Sequence, residues 1–331
     1  MQENIGATEA AAALRHISRN EPFKSYVLET PGLHDLLLKA ARRFIGGESL
    51  TDCLPIARAL EKLGFGLAVD YMGESTRDRS TAEQATDEFL RVIQALRQDS
   101  EGLFLSPDLS HLGLLVDPEL AHKNIASLAE AARDAKGEVI INMEGTDRTE
   151  AILEMHKRVC QRYENLGITL QAYLYRTPKD LSDALQRPGR IRLVKGAYEE
   201  PEALAFRWGQ ATDSAFCALM ETLLASGHPC LIATHDETLL QHAQTFIRKH
   251  SIPATPIEFE MNFGICQARL GELRDRGYRT RVYLPYGKEW YLYLCHRLAE
   301  FPPNVFRAIV DISEGLGPEK DSPITTSTSS L

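Results

Sequence analysis

The sequence predicts a (βα)8 barrel preceded by a helical arm, on three observations. Eight short β-type runs recur along the 331 residues, each followed by a longer helical stretch. Strands alternating with helices imply right-handed crossovers and a parallel sheet. Polar residues gather at the carboxyl end of nearly every run, as they do when strand ends surround one mouth. No Gly-rich GxGxxG turn follows the first run, as an open dinucleotide-binding sheet would require.

Residues 1–60 read as a helical arm, with EAAAALRH, LHDLLLKAARRFIG and LTDCLPIARALEKLG as its helices. The barrel domain is expected over 61–315. Its strand runs are Gly66–Val69, Leu103–Leu105, Val139–Met143, Ile168–Ala172, Ile191–Lys195, Cys230–Ala233, Ile257–Met261 and Arg281–Leu284. AILEMHKRVCQRYENLG, TDSAFCALMETLLASG and ETLLQHAQTFIRKH carry apolar residues at helical spacing, and the first two end in Gly. The strand ends hold Asp70 and Glu74, Asn142 and Glu144, Gln171, Lys195, Thr234 to Asp236, Glu260 with Asn262, and Tyr283. The polar stretch 316–331 is expected to be disordered.

Composition narrows the function. A formal net charge of −9 argues against nucleic acid as the main partner. No apolar run reaches the length of a transmembrane helix, and the amino terminus lacks the apolar core of a signal peptide. The six cysteines form no CxxC pair and read as buried free thiols in the cytoplasm. Asp108, His111, Asn142, Glu144, His235, Glu260 and His296 are donor types that bind metals, but no ligand signature joins them, so no metal is expected. No Ser or Cys stands in a nucleophile elbow.

The last helix is informative from spacing alone. Tyr293, His296, Arg297 and Glu300 fall at i, i+3, i+4 and i+7, on one helical face. Arg297 has the fork that binds a carboxylate in a bidentate pair, with Glu300 one turn away to hold it.

The segments LAVDYMGE, LQAYLYR, RLVKGAYEE, ATHDE, RVYLPYG and EWYLYLCHRLAE occur in this order over roughly residues 64–310. Together they resemble the FAD-dependent proline dehydrogenase family. The resemblance implies a distorted (βα)8 barrel, oxidation of proline to pyrroline-5-carboxylate, hydride transfer to flavin, and a quinone or oxygen as electron acceptor. It also implies that Gln171, Arg192, Lys195, Gly196, Ala197, Tyr198, Thr234, His235 and Glu258 hold FAD. Tyr283, Tyr293, His296, Arg297 and Glu300 would then line the amino-acid site.

The chain departs from that pattern at the substrate. Asp108 stands where the family carries a lysine, Asn142 where it carries an aspartate, and His296 where it carries an arginine. Strand seven reads EFEMN in place of EFQ and an apolar residue, which introduces Glu260 and Asn262. Counted separately, these changes take the pocket from net positive to neutral, and Glu260 takes it lower. Such a pocket suits a polar or cationic amino acid (guanidino, N-oxygenated or hydrazino) with its carboxylate on Arg297. Ordinary proline oxidation, and a flavin-free, metal-dependent or non-catalytic use of the barrel, are the alternatives.

Overall fold

A computed structural model of the chain describes residues 9, 13, 14, 16–18, 20–73, 75–96, 102–300 and 303–314. The predicted barrel closes: eight strands pair in parallel in chain order, and the eighth returns to the first. Ahead of the barrel lie α1 (Glu21–Glu29), α2 (Pro31–Ala41) and α3 (Leu50–Lys62). The alternating body is β1 (Gly66–Tyr71), α4 (Arg79–Leu96), β2 (Phe104–Leu105), α5 (Pro118–Asp134), β3 (Glu138–Ile141), α6 (Thr146–Val159), β4 (Leu166–Gln171), α7 (Thr177–Ala184), β5 (Ile191–Val194), α8 (Gln210–Ser226), β6 (Cys230–Ala233), α9 (Glu237–Lys249), β7 (Ile257–Asn262), α10 (Gln267–Asp275) and β8 (Arg279–Tyr286). Two helices end it, α11 (Trp290–Glu300) and α12 (Pro303–Glu314).

The strands are largely buried on both faces because both are covered, as parallel sheets require. Every residue of β4 is buried. Outward-facing residues such as Leu67, Val69, Leu105, Ile141 and Leu193 join the core between strands and helices. Inward-facing Ala68, Phe104, Ile140 and Leu231 form a second cluster inside the barrel, with Tyr283 packed against it. Two residues further along, Asp70, Ser106 and Asn142 follow these inward positions and make the floor of the mouth.

Helix α3 decides where the site's last element goes. Its Cys53, Ala57 and Leu60 join the outer core, against β1 and β8. A capping box starts it, with Ser49 and Asp52 reciprocally bonded. It therefore packs as part of the barrel body, and the arm boundary expected at residue 60 falls inside it. With that seat taken, α11 packs elsewhere. Its Trp290, Tyr291, Leu294 and Cys295 bury against Val27 of α1, Leu38 and Ala41 of α2, and Ala308 of α12. Trp290 Nε1 donates to Glu48 at 2.9 Å and fixes the helix start.

Some expectations change. The helix read over 151–167 stops at Val159, and Gly167 lies in β4, where a side chain would strike the Arg190 carbonyl. Helix α1, capped by Asn20, was not anticipated. Cys266 is exposed and Cys217 half-buried; the other four thiols are buried, and all six are free. Half of EAAAALRH falls outside the described residues, its described residues being helical, and the tail 316–331 lies wholly outside them. Among the described residues no helix is long and apolar enough to cross a membrane.

Candidate active site at the barrel mouth

Arg192 is the centre of the site. It points inward from β5 and is 2% exposed. Its Nε lies 2.9 Å from Glu260 Oε1, and its Nη2 donates to Glu260 Oε2 at 3.0 Å. Nη2 also donates to Ser106 Oγ at 2.8 Å, and Nη1 donates to Asn142 Oδ1 at 3.1 Å. Asn142 and Glu260 are thus two sides of one clasp, an amide from β3 and a carboxylate from β7. Burial pushes the Glu260 carboxyl up, and Arg192 pulls it back. This corrects the separate counting of these two departures: Glu260 directs both oxygens to Arg192, and its charge is balanced there.

Tyr283 lies beside that clasp, with the Arg192 guanidinium 5.3 Å from its ring centroid. Its hydroxyl donates to Asp70 Oδ2 at 2.7 Å and accepts from Asn142 Nδ2 at 3.3 Å. Asp70, like Ser106, is a member that sequence reasoning left out of the site. An acid two residues beyond Ala68, in an otherwise apolar strand, was the available signal. Burial raises its carboxyl to about 7, against the hydrogen bond from Tyr283 and the charge of Arg192. Asp108, half-buried after β2, adds negative potential at Tyr283.

The rim beyond β4, β5 and β6 holds the residues assigned to the cofactor by resemblance. Gln171 Nε2 donates to the Glu144 carbonyl at 3.0 Å, and its Oε1 accepts from Ala197 N at 3.3 Å, tying two loops together. Gly196 takes φ +130, where a side chain would run into the Tyr173 ring, so only glycine lets the backbone pass. Tyr198 is half-buried in the same loop. Lys195 Nζ reaches Asp213 at 2.6 Å and Asp236 at 2.8 Å. Burial opposes its charge, yet the two carboxylates raise its pKa. Asp236 also caps α9, which sets His235 and Thr234 at the end of β6. His235 Nε2 accepts from Asn262 N at 2.9 Å. Burial and then Arg297 depress this imidazole to about 3. It is neutral, with its proton on Nδ1. Asn262 is fixed by its backbone at the end of β7.

Helix α11 brings its polar face over this floor. Arg297 is buried, lies 4.9 Å from the Tyr293 ring centroid, and donates to Glu300 Oε1 at 2.5 Å. Its charge is felt at both His235 and Tyr283. His296 is half-buried on the same helix. Arg297 Nε and the Tyr293 hydroxyl are buried with no hydrogen-bond partner among the described residues. Natural proteins rarely leave such donors unmet, and two together at a mouth indicate a ligand that meets them.

Two placements complete the account. Glu258 does not belong to this mouth. It sits near the amino end of β7, facing inward, with Arg281 at 2.8 Å, Arg279 at 3.2 Å and Arg190 at 3.6 Å. It is 1% exposed and holds the opposite end of the barrel together, so the cofactor contact expected of it is corrected. Glu74 lies outside the described residues. Among the described residues no three His, Cys, Asp or Glu side chains are grouped to hold a metal. Glu144, for one, is bonded to Arg148 at 2.7 Å.

Known proteins match this chain over most of its length. The family model described as Proline dehydrogenase matches residues 53–304. Proline dehydrogenase 1 of Bacillus subtilis (strain 168) is 35% identical over 264 residues, covering 80% of this chain and 87% of the relative. Proline dehydrogenase of Deinococcus radiodurans is 30% identical over 298 residues, 87% of this chain and 96% of the relative. The crystal structure of proline utilization A (PutA) from Bdellovibrio bacteriovorus inactivated by N-propargylglycine superposes with a TM-score of 0.74 at 20% identity. It covers 95% of this chain and 42% of that one, and at this identity it speaks for the fold. With strand-end motifs, closed barrel and relatives in agreement, the chain belongs to the proline dehydrogenase family and is an amino-acid-oxidising flavoprotein oxidoreductase of that type.

Proposed function

We propose that the chain is an FAD-dependent L-proline dehydrogenase that yields pyrroline-5-carboxylate and hands its electrons to a quinone or oxygen. The observation that carries this reading is Arg297: a buried guanidinium with an unmet Nε, above Tyr283 and beside the unmet Tyr293 hydroxyl. A guanidinium so placed binds the carboxylate of an amino acid. The cofactor fits the residues present, since the buried donors at the mouth wait for acceptors. Gln171, Arg192, Lys195, Gly196, Ala197, Tyr198, Thr234 and His235 would hold it. When bound, FAD supplies the acceptor for a hydride leaving the carbon next to nitrogen. The protein's part is to place the substrate, exclude water and set the charge around it.

The names of the relatives favour proline, and the clasp around Arg192 removes much of the argument for another substrate. A polar or cationic amino acid stays as a second reading on one observation. Asp108 and Asp70 both bear on Tyr283, so two carboxylates face one small floor.

Arg297→Lys keeps the charge and loses the fork. Turnover of L-proline at low concentration should fall by about tenfold or more, chiefly through KM. An unchanged kcat/KM would remove Arg297 from the site and with it the main support for the reading.

A further inference from the structure

The Tyr283 hydroxyl has one proton and two lone pairs. Its proton goes to Asp70 Oδ2 at 2.7 Å, and Asn142 Nδ2 donates to its oxygen at 3.3 Å. The orientation of that amide is fixed. Asn142 Oδ1 faces Arg192, which only donates, so Nδ2 must face Tyr283 and the Ser106 carbonyl, the latter at 2.8 Å. One lone pair of the Tyr283 oxygen is left, on a residue that is half-buried. It suits an incoming N–H.

We propose that Asp70, acting through the Tyr283 hydroxyl, accepts the proton that the substrate's amino group must lose before oxidation. An N–H bond of the substrate ammonium breaks as an O–H bond forms on Tyr283. The O–H that Tyr283 held breaks in the same event, and its proton joins the Asp70 carboxylate. The electron pair stays on nitrogen, where it can push a hydride off the neighbouring carbon. Tyr283 ends as it began, and Asp70 ends neutral. Asp70 is a positioning residue here, since it touches substrate only through Tyr283.

The surroundings permit this. Arg192 from β5 faces Asp70 and Tyr283 and is itself offset by Glu260 from β7. Asp108 after β2 acts on Tyr283, while Tyr293 and Arg297 of α11 close the upper side. Burial lifts the carboxyl to about 7. Its ionised, accepting fraction therefore grows as pH rises through neutrality.

This inference rests on the proline dehydrogenase reading above, and the test separates the two. In the wild-type holoenzyme, kcat/KM for L-proline should rise with pH to a plateau with a midpoint near 7. In Asp70→Asn that step should vanish. The rate at pH 7 should drop about a hundredfold and climb steadily toward alkaline pH as the amine loses its own proton. Independently of turnover, infrared titration should show a carboxylic C=O band in the wild type with the same midpoint, absent from the variant. Tyr283→Phe, which cuts the relay and leaves Asp70, should show the same loss of plateau and carries the test if Asp70→Asn does not fold. An active variant with the wild-type pH profile, whatever its rate, overturns the inference alone. A flavin-loaded wild type that oxidises no amino acid overturns the functional reading and the inference with it.

Discussion

Glu258→Ala is expected to destabilise the fold by about 3–5 kcal/mol, because it leaves the buried Arg281 guanidinium without its carboxylate partner. Glu258 is the carboxylate shared by Arg281, Arg279 and Arg190. Arg281 is almost fully buried, 3.2 Å from the Phe104 ring centroid, and donates to the Leu67 carbonyl at 2.5 Å and the Gly102 carbonyl at 2.7 Å. It has nowhere to move if its partner is removed. Burial works against ionisation of Glu258, but the three arginines together outweigh it and hold the carboxyl below its usual range. The sign of the pH effect follows. This contribution is in place above the unfolded value of about 4.3 and is lost as pH falls through the lower folded value. Denaturant midpoints measured across acid pH should show that loss in the wild type and not in the variant. The folded fraction of the variant should keep its flavin, since Glu258 is at the far end of the barrel. Flavin loss from a stably folded variant would return Glu258 to the cofactor site.

Arg192→Met should cost a similar amount, about 3–5 kcal/mol, by leaving Glu260 buried and unpaired. It should also abolish most turnover, since removing a preorganised charge from such a site typically costs about a hundredfold to a thousandfold. The double variant Arg192→Met with Glu260→Leu tests whether the two residues form one unit. Buried pairs replaced on both sides by apolar groups are often close to neutral, so the double should recover most of the lost stability while activity stays lost. A double variant less stable than the single would contradict the clasp.

The barrel was legible because short buried β-type runs alternate with helical stretches and nearly every strand end is polar, a contrast that survives without knowledge of contacts. Boundaries were less so. The stretch after Val159 keeps apolar residues at helical spacing through Tyr163, yet the chain turns there because Leu166 must enter β4. Helix α11 declared its face through Tyr293, Arg297 and Glu300, while its displacement over the mouth depends on α3 filling the usual seat, a matter of packing. Glu258 and Glu260 illustrate the limit most clearly. Two residues apart, both point into the barrel, but one lies at its base among arginines and the other at its mouth against Arg192. Depth along a strand is set by register with its neighbours, and a single strand does not reveal it. The convergence of Asn142 and Glu260 on Arg192 across the barrel was hidden for the same reason, and so was Asp70 under Tyr283.

The central claim, flavin-dependent oxidation of proline at this mouth, is tested most directly by the visible spectrum of the purified protein before and after anaerobic addition of L-proline. The expected result is a bound oxidised flavin, released intact on denaturation, whose bands bleach with L-proline faster than with arginine, N-hydroxyarginine or hydrazino acids. A colourless protein that takes up no added FAD would contradict the cofactor. A flavin that L-proline leaves unbleached, while one of the polar or cationic amino acids reduces it, would contradict the substrate.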